Sequence, residues 1–384
     1  MQDLKDKFFI DKGKLRIDNI GLNTQPYLLE ELYPQVGLRD VIFITKDRIH
    51  AQKTLDAVKF LTGRKILFFP EWDTAPYENI SPTQNLLHQR MRTLFQIISS
   101  PGQKIIITSI RAVLQRIPTK TILESKIFSL RVDEIIKRGE LIKYLMNLGY
   151  MRVSYVTTAG EFSIRGEIVD ISAGVIGYGC RIDFFGDQIE SIKVFDIASQ
   201  ITSESRTSIN IFPPSELIIS DDTIANFESY LLNTVGPNYK ENQMLSNIRD
   251  QIKPLGIENF LPAFYSNLGD IFEYLTKPVV ILDNFIKLEA EKFLDKVQAI
   301  YKSKIDENPK TKLELLSPDN VWLSRKELVD KFKHHCLVEF YPFKNYISET
   351  EVNEVSSICI RSEIETVPAF YQKSSIRKVL LSSC

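Results

Sequence analysis

Along the first third of the chain, short apolar runs alternate with amphipathic stretches. Val41–Ile44, Ile66–Phe69 and Ile105–Thr108 are continuous apolar segments of strand length, separated by helical patterns over 50–61 and 84–98. Runs that are apolar on both faces and spaced by helices predict a parallel sheet covered on both sides, an α/β domain of the doubly wound kind over residues 1–118. The texture then changes. A helical pattern at 140–148 is followed by period-two alternation from Glu161 to Ile171, which reads as one strand. Arg181–Phe185 and Gln188–Phe195 follow, joined by Gly186–Asp187, a strong hairpin signal. Residues 119–213 are therefore expected to form a small, mostly antiparallel β domain. Helical patterns resume from Asp222, and Val279–Leu282 has the character of the earlier buried strands. It is expected to rejoin the first sheet, which makes 119–213 an insertion and 214–345 the second part of the α/β domain. Residues 346–384 read as a polar linker or as the start of a further domain.

Composition narrows the picture only a little. A chain of 384 residues suggests two or three domains, and 43% hydrophobic with 25% charged residues is ordinary for a globular protein. The net charge of −1 supplies no global attraction to nucleic acid or anionic lipid. No apolar run approaches the roughly 20 residues of a membrane span. The first residues carry charges where a signal peptide needs its apolar stretch, so a cytoplasmic location is expected. Cys180, Cys336, Cys359 and Cys384 are scattered and show no metal-ligand spacing. In His334–His335–Cys336, neighbours on a helix point about 100° apart. Neither a metal nor a disulfide is expected.

An α/β layout invites a nucleotide, yet no Walker loop is present. Gly63–Arg64–Lys65 lacks the upstream glycine and the hydroxyl, and Asn19–Thr24 has no lysine. Asp133–Glu134 reads as a solvated helix start rather than a magnesium pair, and His88 as a surface or capping residue rather than a base. No hydrolase elbow or zinc-protease motif occurs. The expectation is a chain with no catalytic residues and no cofactor.

The hairpin carries more. With Gly186–Asp187 as the turn, Phe185 should face Gln188, Phe184 should face Ile189 and Asp183 should face Glu190. Alternation puts Ile182, Phe184 and Ile189 inward and Arg181 and Phe185 outward. In the strand read over 161–171, Phe162, Ile164 and Ile168 share the inner face while Ser163, Arg165 and Glu167 point out. Arg and aromatic residues dominate interface hot spots, so Arg165, Arg181 and Phe185 form a candidate protein-binding patch. The alternative is that Phe185 packs on the adjacent domain and the arginines pair with Asp183, Glu167 and Glu190.

Several motifs occur in a familiar order. Phe69-Pro70-Glu71-Trp72-Asp73-Thr74, Pro76-Tyr77, Ser81-Pro82, Gln89-Arg90 and Thr93-Leu94 are followed by Leu148-Gly149-Tyr150, Gly160-Glu161-Phe162, Arg165-Gly166, Val169-Asp170-Ile171, Arg181–Phe185 and Ile189-Glu190-Ser191. Over about residues 20–345 the chain resembles the N-terminal region of the bacterial transcription-repair coupling factors, the Mfd family, whose module is similar to the repair protein UvrB. The resemblance implies a degenerate helicase-like α/β fold and a β domain that docks UvrA through the positions of Arg165, Arg181 and Phe185. It also implies a chain that ends before the family's RNA-polymerase-binding domain and its ATP-driven double-stranded-DNA translocase. The rival expectation is a DNA-binding or vestigial nucleotide-binding helicase fragment. The stretch from Trp72 to Pro82 is read as a rigid replacement for the missing nucleotide and DNA machinery, with Ser81–Pro82 as a capped, proline-started lead into the next helix. It is expected to close a site rather than to open one.

Overall fold

A computed structural model describes residues 13–18, 20–21, 24–173, 177–250, 252–307, 315–342 and the backbone of 356–359. Strands β1 (Lys14–Asp18), β2 (Val41–Thr45), β3 (Ile66–Phe69) and β4 (Ile105–Ser109) lie in one parallel sheet. Strands β5 (Ile117–Pro118) and β6 (Phe128–Arg131) lead away from it. A second sheet of six strands follows: β7 (Met151–Arg152), β8 (Glu161–Arg165), β9 (Ile168–Ile171), β10 (Tyr178–Phe185), β11 (Gln188–Asp196) and β12 (Thr202–Arg206). It is antiparallel apart from the β7–β8 pair. Strand β13 (Ser208–Ile211) pairs antiparallel with β6, and β14 (Leu268–Gly269) with β5. The chain then returns to the first sheet as β15 (Val279–Leu282), β16 (Cys336–Phe340) and β17 (Ser356–Cys359), giving the order β17-β1-β16-β15-β2-β4-β3.

The parallel sheet owes its place to residues apolar on both faces. Ile42, Ile44, Leu67, Ile106 and Val280 enter one core cluster, while Val41, Phe43, Ile66, Ile105 and Ile281 enter another on the opposite side. Strand β15 pairs with β2, setting Ile281 opposite Phe43, so the expected return of this strand to the first sheet is found. All strands of the six-stranded sheet fall between β4 and β15 in sequence. That sheet has a core of its own, in which Phe162, Val169, Ile171, Ile182 and Phe184 pack on Leu141, Leu145 and Leu148 of the Arg138–Leu148 helix.

Three local readings are corrected. Residues 161–171 are two strands, because Gly166, with φ of +60°, turns the chain between β8 and β9. Val169 rather than Ile168 therefore faces the core, with Val169 fully buried. Asp133–Glu134 is a turn, with Asp133 at φ +68°, and it hydrogen-bonds to the backbone of Ile189. His88 is 1% exposed and stacks on Phe212, since its face of the Gln84–Ser99 helix meets the segment that follows β13. In the tract read as a linker or as the start of a further domain, residues 356–359 form edge strand β17 beside β1. The remaining residues of 346–384 lie outside the described ones.

The Trp72–Pro82 connection is stitched rather than loose. Trp72 Nε1 donates to Glu216, and the buried Tyr77 hydroxyl donates to the Leu316 carbonyl at 2.9 Å. Asp73 accepts from the backbone and hydroxyl of Thr83, which is the N-cap of the following helix. Ser81 does not cap that helix; its hydroxyl takes the Gly256 N–H instead. Beneath the connection Arg90, fully buried, bonds Glu216 through two nitrogens at 2.8 and 3.0 Å, donates to the Pro70 carbonyl and lies over the Phe69 ring.

Candidate docking face

The six-stranded sheet has one face on its own core and the other turned away from it. On the outer face Ser163, Asp170, Arg181 and Lys193 are successive cross-strand partners on β8, β9, β10 and β11. The row is organised by Asp170, which is 1% exposed. Arg181 donates to it through Nε at 2.8 Å and Nη2 at 3.1 Å, and Arg165 donates through Nη2. One carboxylate shared by two guanidinium groups leaves a surplus positive charge, and the paired Asp170 holds the Arg181 pKa above its usual value.

Both arginines also lie over aromatic rings, Arg165 5.2 Å from the centroid of Tyr155 and Arg181 5.0 Å from that of Phe195. Phe195 in turn lies across Gly179, where an added Cβ would stand 2.4 Å from the ring. The two arginines are therefore half-committed. Arg165 keeps 36% of its side chain exposed against 17% for Arg181, and its Nε has no partner. The counter-ions weighed in the sequence have other uses: Asp183 pairs with Lys193 and Glu167 with Arg138.

Phe185 stands differently. It is 78% exposed at the tip of the β10–β11 hairpin, opposite Gln188 as expected. Asp183, however, pairs with Ser191 rather than Glu190, because a bulge takes up one residue of β11. The pattern-based reading missed a neighbour of Phe185. Ile135, also 78% exposed, forms an isolated bridge to Gln188, so Phe185, Gln188 and Ile135 line up across three backbone segments. The signal that could have found it is the Ile135–Ile136 pair flanked by Asp133–Glu134 and Lys137–Arg138, since adjacent apolar residues in an extended segment cannot both point inward. A hollow of about 420 Å³ lies beside this tip, lined by Lys137, Arg138, Lys143 and Asp187.

A mostly antiparallel sheet with an exposed aromatic tip is thus inserted, in sequence, between strands of a parallel α/β body. Residues 128–217 match the UvrB interaction domain. The likeness extends well beyond that segment. The chain is 30% identical over 356 residues to the transcription-repair-coupling factor of Rickettsia bellii, covering 90% of this chain and 31% of that protein. It is 26% identical over 296 residues to the factor of Escherichia coli, covering 77% of this chain and 25% of that protein. The Staphylococcus aureus factor is 26% identical over 307 residues, 75% of this chain and 26% of that protein. The chain thus matches the UvrB-like module of the coupling factors, as its motifs imply, and spans between a quarter and a third of these relatives' length. Among the described residues, no helix is long and apolar enough to cross a membrane.

Proposed function

We propose that this chain is the UvrA-docking module of a transcription-repair coupling factor, a non-catalytic adaptor that brings UvrA to sites of stalled transcription on damaged DNA. The carrying observation is Phe185: a large ring left 78% exposed beside an equally exposed Ile135, on a sheet whose other face is fully packed. Exposed aromatic anchors of this kind are what a partner's pocket desolvates. The arginines contribute orientation. Arg165, whose side chain is the more exposed of the two, is placed to take a partner carboxylate, whereas Arg181 mainly holds Asp170 and shields Phe195. In this reading RNA polymerase, double-stranded DNA and ATP are engaged by other domains of the family and not by these 384 residues.

A titration with purified UvrA tests the proposal. Phe185→Ala is expected to weaken binding by about 2 kcal/mol, roughly 30-fold, and Ile135→Ala by less. Unfolding of both variants should stay within about 0.5 kcal/mol of wild type, as for other exposed positions. Wild-type affinity in the double variant would sink the proposal.

A further inference from the structure

Besides bracing the fold, the connection after β3 walls a cavity of about 350 Å³ at the carboxyl end of the parallel sheet. Crevices in that position are where open α/β sheets receive ligands, and this one has a ligand-sized volume. Three cations from three different helices line it. Arg48 comes from the helix after β2, Arg111 from the helix after β4 and Lys296 from the long helix after β15. Arg111 has Glu71 at 3.6 Å and remains 48% exposed. Among the described residues, the side chains of Arg48 and Lys296 form no ion pair or hydrogen bond, although Arg48 acts on the Glu71 carboxyl from a distance.

The two carboxylates of the wall are already occupied by the fold. Glu71 accepts from the Ser109 hydroxyl, and Asp73 from Thr83. Aromatic surface completes the lining, with Trp72, Trp322 and Phe293. A further feature points to a ligand. Gln115 is 3% exposed, bridges Trp322 through the backbone and lines the cavity, yet its Nε2 has no acceptor. A buried amide N–H without a partner is a standing cost that an acceptor atom on a ligand removes.

We propose that this cavity binds a nucleoside monophosphate, its phosphate among Arg48, Arg111 and Lys296, its base against the indoles, and a ring or carbonyl acceptor taking the Gln115 amide. Three cations against two carboxylates leave a surplus of one positive charge, enough to attract one phosphate monoester, of about −1.5 to −2 charge, but not a triphosphate. A triphosphate needs the backbone cradle that this sequence lacks. The site is separate from the docking face.

The test uses a property of the chain. Trp72 and Trp322 are its two tryptophans and both line the cavity, so indole fluorescence reports occupancy directly. The whole chain is titrated with AMP and UMP, and with ATP, adenosine and inorganic phosphate as comparators, while calorimetry records binding heat. Saturable quenching by a nucleoside monophosphate is expected. Arg111→Ala or Arg48→Ala should weaken it about tenfold, the share of one charge-assisted contact. Both side chains are exposed, so thermal unfolding should not change. Inorganic phosphate or adenosine binding as tightly as the nucleotide, tighter binding of ATP, affinity unaltered by both substitutions, or no signal at millimolar ligand would each overturn the proposal.

Discussion

Strands β2, β4 and β15 are covered on both faces, whereas the antiparallel sheet packs one face on the Arg138–Leu148 helix and leaves the other to side chains that shield one another. Each region nonetheless contains a carboxylate with almost no exposure that is gripped by arginine. Glu216 is reached by Arg90 in the body, and Asp170 by Arg165 and Arg181 in the β unit. The first pair is sealed under the Trp72 connection and can only be structural. The second sits under a face open to a partner, so its arginines both hold the sheet and remain partly available. The difference shows that a guanidinium aimed outward is not thereby free, and that the cleaner mark of a docking face is the ring with nothing to pack on.

Four substitutions press on that contrast, beginning with the largest expected effect. Arg90→Met strands Glu216 in the interior and should cost about 3–5 kcal/mol in urea unfolding. A loss under about 1 kcal/mol would contradict a sealed, purely structural pair. Asp170→Asn keeps an acceptor but removes the charge that two arginines share, and a destabilisation of about 1.5–3 kcal/mol is expected. If unfolding is instead unchanged, the arginines are freer than their geometry implies. Gly179→Ala forces Phe195 from its seat and should cost about 1–3 kcal/mol. A matching fall in UvrA affinity would indicate that Phe195 positions Arg181 for the partner.

The smallest effect is one of pH. Burial holds the Glu71 carboxyl above its ordinary pKa, although the Ser109 hydroxyl pulls it down. The folded chain therefore binds that proton more readily than the unfolded chain does. Stability from this group is lost as pH rises from the ordinary glutamate range through the raised folded value. Glu71→Gln should then gain on wild type across that window and not below it. Parallel stability curves for the two proteins would refute the assignment.

The same contrast explains what was legible in the sequence. Uninterrupted apolar runs such as Val41–Ile44 and Val279–Leu282 announce strands buried on both faces, and Gly186–Asp187 announces its hairpin. The turn at Gly166–Glu167 is hidden because alternation continues through it, so that Ile168 looks inward when Val169 is. The role of Asp170 is hidden for a different reason. Its partners lie 5 and 11 residues away and meet it only through cross-strand register, which a one-residue shift would undo. Arg165, Arg181 and Phe185 were placed on the right face by period two. Their unequal exposure depends on the rings of Tyr155 and Phe195, and no spacing rule connects those to them. The Trp72 connection was expected to seal the end of the sheet, yet its residues form one wall of a cavity.

The β6–β13 ribbon has a mechanical meaning. Phe128 pairs with Ile211 and Arg131 with Ser208, so the segments leading into and out of the six-stranded sheet leave the α/β body side by side. A tug on the hairpin tip is then shared by two leads pulled lengthwise, and the bonds between them are not peeled apart one at a time. A load applied at Phe185 would thus pass to the α/β body through both leads at once.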